Sequence, residues 1–367
     1  MAVGPAVSVM GRARVALSLA LALVAGACTG GGIPPSASPA LPSSASTLPA
    51  PPSTASPLAP GSTPLTKLSV GLGYIPSVQF AQFYTAQQLG YYRAAGLDVT
   101  FENKVDPDLI TLVGQGALDL GIGDGTSVIP AVSQGIPIVY AATIYAQFPD
   151  VVMSEPAAGI ASPAQLKGRK LGIPGKYGSS WIMLQALLHS AGLTPSDLTI
   201  VLYPDYGQSV ALSQGQVEAA TGFFNNEPVQ LSLQGIQTNL LRVDQITPLP
   251  GPGLIVGTKT LASKADALKA FVAATLRAMN EIAANPQEGL DATFAMEPDL
   301  ATDPATQRAV LNATIAIWSS DYTTAHGLGA IDPGAWTQSV AFMQSLPDGG
   351  VAKPVSVDQL VTNALLP

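Results

Sequence analysis

From Lys67 onward, the apolar positions switch repeatedly between a period of two and a period near 3.6. "KLSVGLG" sets Leu68, Val70 and Leu72 against small or polar neighbours, which predicts a half-buried strand. "SVQFAQFYTAQQLGYY" changes to helical spacing, with Ser77 as N-cap and Phe80, Phe83 and Tyr84 on one face. "GLDVTFEN" predicts the next strand, and "DPDLITLVGQG" a helix capped by Asp106 with Pro107 in its first turn. "ALDLGIGDG" reads as a short strand ending in a glycine turn, "TSVIPAVSQG" as a helix and "IPIVYAATIY" as an apolar strand. The alternation restarts at "SPAQLKGRKLGIPGKYGSSWIMLQALLHSAGL": a short helix, a strand, and a longer helix ended by Gly192. "LTIVLY", "YGQSVALSQG", "VEAATGFF" and "NEPVQLSLQG" then give strand, helix, strand, helix, and beyond "PGPGLIVGT" the chain is mainly helical. Two runs of alternating elements and a helical tail predict two α/β lobes. Both runs carry one phrase, a helix ending in Q-G and then a short strand with an acid near its start. The copies are "LVGQGALDLGIGDG" and "ALSQGQVEAATGFF", which predicts a structural repeat between the lobes.

The N-terminal part obeys a different pattern. Arg12 and Arg14 precede an apolar run over 15–27 that only Ser18 interrupts. That run is shorter than the roughly 20 residues a spanning helix needs, and its charged flank reads as a secretory leader. Cys28 follows and is the only cysteine, which excludes an intramolecular disulfide and a Cys-rich metal site. Ala25, Gly26 and Ala27 stand directly before it, so the stretch resembles a bacterial lipobox, although Ala25 holds the place of the usual leucine. In such signals the cysteine is diacylated and becomes the new N-terminus. The alternative is an ordinary cleaved leader with an incidental cysteine. We expect Cys28 to be a lipid anchor. Pro, Ser, Thr and Ala then fill most of 33–64, and no charged residue occurs between Arg14 and Lys67. Such a segment buries too little apolar surface to offset its ordering entropy, so 28–65 is expected to be a tether spanning roughly 30 Å.

Composition narrows the function. Apolar residues make up 47% of the chain and charged ones only 11%, enough for a sizeable core under a mild surface. Loss of Arg12 and Arg14 with the leader takes 16 basic residues to 14 against 24 acidic ones, a net charge of −10. Nucleic acid is therefore not an expected partner, since phosphate neutralisation needs clustered Lys and Arg. No second apolar stretch reaches membrane-spanning length. The folded part is expected to be an acidic, extracytoplasmic, monomeric domain.

Catalytic and metal chemistry finds little support. His189 and His326 are the only histidines, and neither has a metal-type partner at helical or loop spacing. "GIGDG" lacks the full G-x-G-x-x-G, and a P-loop ending at Gly175-Lys176 would need glycine where Lys170 stands and Ser or Thr where Tyr177 stands. No cofactor and no metal is expected. What remains is a set of glycine-bearing turns between strand ends and helix N-termini, which are either plain connections or the mouth of a ligand cleft. Aromatic residues gather at the same turns. Tyr74, Tyr145 and Tyr177 sit at strand ends and are cleft candidates, whereas Phe80, Trp181 and Phe223 read at least as well as core.

Four separated blocks also carry a resemblance: "GLGYIPSVQFAQFYTAQQLGYYRAAGLDVTF", "GALDLGIGDGTSVIPAVSQGIPIV", "LKGRKLGIPGKYGSSWI" and "FFNNEPVQL". In that order they resemble the thiamine-precursor type of ABC-transporter solute-binding protein, an NMT1/THI5-like, SsuA-related group whose relatives include sulfonate, nitrate and riboflavin binders. The resemblance implies an α/β, type II periplasmic-binding-protein fold: two lobes, a two-segment hinge and a central ligand cleft. On that pattern the first lobe would take 66–155 plus 252–367 and the second 156–251, after a leader over 1–27. It implies a non-enzymatic role at the extracytoplasmic face of the bacterial cell membrane, with a small-molecule solute and an ABC permease as partners. Two other readings are an anion binder of the sulfonate or nitrate type and, because eukaryotic pyrimidine synthases share the fold, an enzyme. Those synthases resemble single-use catalysts rich in Cys and His, and nothing here matches such a set.

The residues expected to face the solute are Tyr74, Gln79, Asp124, Thr126, Ser127 and Tyr145, with Tyr177, Ser179, Asn225 and Glu227 opposite. Only Lys176 is basic among these turns, so a neutral heteroaromatic fits better than an anion. By resemblance, Glu227 in "NNEP" would accept hydrogen bonds from an aminopyrimidine or an imide N–H. Riboflavin and a thiamine-type pyrimidine both satisfy that description, and the many aromatic candidates favour the flavin slightly.

Overall fold

The computed structural model describes residues 64–105, 108–346 and 349–367. The leader, Cys28, nearly all of the 28–65 segment and the capping pair Asp106 and Pro107 lie outside the described residues.

The alternating run at the start of the domain forms β1 (Thr66–Gly73), with Leu68, Val70 and Leu72 buried. β2 (Leu97–Val105) pairs parallel to one side of it and β3 (Leu120–Gly123) parallel to the other. After β4 (Ile138–Thr143) the chain leaves this sheet and builds a second one. That sheet holds β5 (Asp150–Ser154), β6 (Lys170–Ile173), β7 (Thr199–Leu202), β8 (Ala219–Phe223) and β9 (Asn239–Arg242). The chain then returns, and β10 (Gly253–Gly257) inserts antiparallel between β3 and β4. The orders are β2-β1-β3-β10-β4 and β7-β6-β8-β5-β9. Each sheet thus takes its fourth place from a strand on the far side of a crossing, and both of those strands are antiparallel to their neighbours.

Two strands depart from the sequence pattern. β5 lies inside the span 66–155 expected of the first lobe, yet it pairs only with β8 and β9, so the crossing falls before Asp150. All five of its residues are buried. A strand covered on both faces shows no alternation, and its period therefore carries no signal. β9 is only four residues long, with Leu241 alone buried.

The repeated phrase has a structural meaning. β3 and β8 both occupy third place in their sheets. Just before them, Asp119 Oδ2 accepts from Ser69 N at 3.0 Å, and Glu218 Oε2 accepts from Lys170 N at 3.1 Å. Asp119 N and Glu218 N donate back to the carbonyls of Ser69 and Lys170. Each acid therefore extends a parallel ladder beyond its strand, and each is paired, with Lys264 at 2.8 Å and Arg169 at 2.6 Å.

Two cores position the site. On one face of the first sheet, Tyr92 and Phe271 stack at 4.8 Å and Phe83 packs beside them; each fully buried ring contributes about 1.5–3 kcal/mol. A second core joins the lobes: Val128 and Ile129 of the helix Gly125–Ser133 pack with Met183, Leu184 and Leu187 of the helix Gly178–Ser190. The N-termini of these two helices, one from each lobe, are fixed by that shared packing.

Candidate functional site

The carboxyl ends of β1, β3, β6 and β8 converge on one cleft enclosing about 1100 Å³, open mouth included. Open α/β sheets place ligands there, because the strand ends expose backbone groups and lead into helix N-termini. At the end of β1, Gly73 takes φ +80 and turns the chain so that Tyr74 enters the cleft. Tyr74 reaches the opposite lobe. Its hydroxyl donates to Glu227 Oε1 at 3.5 Å, and its ring meets Tyr206 edge-on with centroids 4.7 Å apart. Tyr206 itself has φ +62, alone among the described non-glycine residues, a backbone state costing about 1–3 kcal/mol for a bulky side chain.

Three carboxyl groups belong to the site. Glu227 opens the helix Glu227–Leu233, and its Oε2 accepts from Phe223 N at 2.8 Å. Burial pushes its carboxyl above the ordinary range, and the bonds from Phe223 and Tyr74 offset only part of that. The Tyr74 phenol is pushed up first by burial and then by the Glu227 charge. Asp124 caps the helix Gly125–Ser133, accepting from Ser127 N at 3.0 Å and Thr126 Oγ1 at 2.6 Å, and burial raises its carboxyl too. Behind the lining stands Asp150, 1% exposed, whose Oδ1 accepts from Ser179 Oγ at 3.2 Å and Ser180 Oγ at 2.7 Å. Its Oδ2 has no hydrogen-bond partner among the described residues. Burial, and next the Asp124 charge, hold Asp150 well above the carboxylate range.

These shifts predict how stability changes with pH. A carboxyl with a native pKa above its unfolded value binds more protons in the native state across that interval. Stability is then greatest on the acid side and is lost as pH rises through the native pKa. Asp197, Glu218 and Asp303 shift the other way, but they lie at the surface, where solvent screening makes such terms small. The melting temperature should therefore fall as pH rises from the ordinary carboxylate range through the raised native pKa values of these groups, which a pH series of melting curves checks. Asp150→Asn, which keeps the serine contacts without the charge, should flatten that slope. An identical slope in the Asn variant would remove Asp150 as its source.

The cleft brings together Tyr74, Gln79, Asp124, Ser127 and Tyr145 from the first lobe with Tyr177, Ser179 and Glu227 from the second. Thr126 and Asn225, also expected at the lining, stand behind it. The Thr126 hydroxyl is turned back onto Asp124. Asn225 is fully buried and donates to Gln79 Oε1 at 3.0 Å and Thr314 Oγ1 at 2.8 Å, which ties the second lobe to the helix Pro304–Ile317 of the helical tail. Phe80 and Phe223 do line the cleft, whereas Trp181 packs outside it under the Lys176 ammonium. Sequence reasoning missed Gln82, Ser180 and Gln208. Buried glutamines leave no mark in a hydrophobic pattern, because glutamine is usually read as surface.

Among the lining residues there is no Lys, Arg, His or Cys. Among the described residues, no group of three or more His, Cys, Asp or Glu is placed to hold a metal ion, and no helix is long and apolar enough to cross a membrane.

Comparison with known proteins gives this arrangement a family. A family model described as NMT1/THI5 like matches residues 77–289, which contain every strand-end turn of the cleft except that after β1. The chain belongs to the NMT1/THI5-like family. Its relatives include the riboflavin-binding protein RibY of Chloroflexus aurantiacus, 32% identical over 314 residues, 84% of this chain and 89% of that protein. The 4-amino-5-hydroxymethyl-2-methylpyrimidine phosphate synthase of Legionella pneumophila is 24% identical over 245 residues, 65% of this chain and 76% of that enzyme. Among solved structures, the alkanesulfonate-binding protein SsuA of Xanthomonas axonopodis pv. citri, bound to MOPS, superposes with a TM-score of 0.63 at 16% identity. That match covers 82% of this chain and 99% of SsuA. At this identity the likeness speaks for the fold, which is that of the periplasmic binding proteins.

Proposed function

We propose that the chain is the extracytoplasmic solute-binding component of an ABC importer, held at the membrane by lipid on Cys28. Its solute is a neutral heteroaromatic vitamin or precursor, riboflavin ahead of a thiamine-type pyrimidine. The observation that carries this reading is the lining itself: six aromatic rings and the carboxyl groups of Asp124 and Glu227, with no cationic side chain. Rings stack on flat solutes, and carboxylates accept from their N–H edges. A sulfonate or nitrate would meet two acidic groups and no opposing cation. The lining also offers no Cys, His or Lys from which synthase chemistry could start. The riboflavin-binding relative supports the flavin in particular.

A thermal-shift panel tests the solute class. Riboflavin or the aminopyrimidine should raise the melting temperature of the purified protein, since a ligand at a hundred times its Kd stabilises by about 2.7 kcal/mol. Ethanesulfonate and nitrate should leave it unchanged. Stabilisation by the anions alone would refute the neutral-solute reading.

A further inference from the structure

Resting on the reading of the cleft as a solute site, we propose that Gln208 and Glu227 form a two-acceptor subsite. It reads adjacent N–H or O–H donors of the solute, and Gln208 is its specificity-determining residue. The argument begins at the edge of β8. β6 pairs with β8 only at Leu171↔Ala219 and Gly172↔Ala220. Past that point no strand of the described residues covers the β6-facing edge of β8. Phe224 N donates to Pro149 O on the β5 side, so the backbone groups of Thr221 and Phe223 point the other way. Two side chains take the place of the missing strand. Gln208 Nε2 donates to Thr221 O at 3.2 Å, and Glu227 Oε2 accepts from Phe223 N at 2.8 Å.

Each side chain spends one end on the strand: Gln208 uses its NH₂ and keeps Oε1 as an acceptor, and Glu227 uses Oε2 and keeps Oε1, which can take a second donor beside Tyr74. For Gln208 the amide orientation is fixed chemically: Thr221 O can only accept, so the NH₂ faces it and Oε1 does not. Gln208 is 2% exposed, lines the cleft, and its Oε1 has no hydrogen-bond partner among the described residues. Glu227 Oε1 has the long contact from Tyr74. On the first lobe, Gln82 is 1% exposed and also lines the cleft with an unpartnered Oε1. A buried acceptor costs free energy unless a donor meets it. Acceptors on both walls, with no lining cation, select a solute that donates. An imide or amide edge, or a hydroxylated chain on a ring, supplies such donors; an anion that only accepts does not.

Riboflavin is the probe, with 3-methylriboflavin lacking the ring N–H and lumiflavin lacking the hydroxylated chain. Gln208→Met keeps the side-chain length and removes both amide atoms. It should weaken riboflavin binding about ten- to a hundredfold, and that loss should shrink below about threefold on the analogue lacking the donor that Gln208 meets. Gln208→Glu should retain most of the affinity, because a protonated carboxyl at this buried position still donates to Thr221 O and keeps a carbonyl oxygen as the second acceptor. A measurement on the wild-type protein guards against a Met variant that does not fold: at least one analogue should bind about tenfold or more weakly than riboflavin. Equal affinity for all three flavins, or unchanged affinity in a folded Gln208→Met, would overturn the subsite. A wild-type protein that binds the aminopyrimidine and no flavin rejects riboflavin alone, and the Gln208→Met loss is then required on that probe. Binding of ethanesulfonate in place of every donor-bearing probe would overturn both the subsite and the solute class.

Discussion

Glu227→Gln is expected to weaken riboflavin binding by about one to two decades while moving the melting temperature little. The side chain keeps its size, and the amide oxygen can still accept from Phe223 N, the bond that holds Glu227 against the end of β8. What changes is the other end. The acceptor Oε1 becomes an NH₂, so a solute N–H meets a donor where it met an acceptor. A charge-assisted hydrogen bond is lost, and two donors are left facing each other in a buried site. The same substitution separates the competing readings by its sign. Removal of a negative charge would tighten the binding of an anion. If Glu227 served only the first turn of the helix Glu227–Leu233, where an acidic side chain favours the dipole, affinity would hold and the melting temperature would fall. Titration calorimetry beside a melting curve distinguishes all three, and tighter binding by the Gln variant would refute the neutral heteroaromatic.

Cys28→Ser should move the protein from the membrane fraction to the soluble one almost completely. A single acyl chain gives only marginal membrane binding, and stable attachment takes two, at about 0.8 kcal/mol for each buried CH₂. One serine removes the attachment point for all of them. The substitution changes none of the described residues that line the cleft, so the released protein should bind riboflavin with unaltered affinity. Fractionation of cells expressing each form, followed by a binding titration, checks both halves. A Ser variant that still sediments with membranes would exclude the lipid anchor.

Much of the fold was legible because its elements are amphipathic. β1 alternates, and Ser77 does cap the turn Val78–Phe80 that leads into Ala81–Gln88. The repeated Q-G phrase marks two strands in equivalent sheet positions. β5 was illegible for the opposite reason: it is buried on both faces, and its place beside β8 depends on a partner more than sixty residues away in the chain. The site divides in the same manner. Tyr74 and Asp124 stand just past strand ends, where the alternation of elements predicts a cleft mouth, whereas Glu227, at the start of its helix, is singled out by the family resemblance. Asn225 differs, because its orientation is decided by Gln79 and Thr314, which the fold brings from distant segments. Asp150 and Gln208 are polar groups buried by tertiary packing, and a polar letter in a sequence does not announce its own burial.

Titration calorimetry of riboflavin into the purified protein, repeated in excess ethanesulfonate, is the decisive measurement. Saturable one-to-one binding that the sulfonate leaves untouched is the predicted result. A protein that gives no heat with riboflavin or the aminopyrimidine, yet binds the sulfonate, would contradict capture of a neutral ring by this cleft.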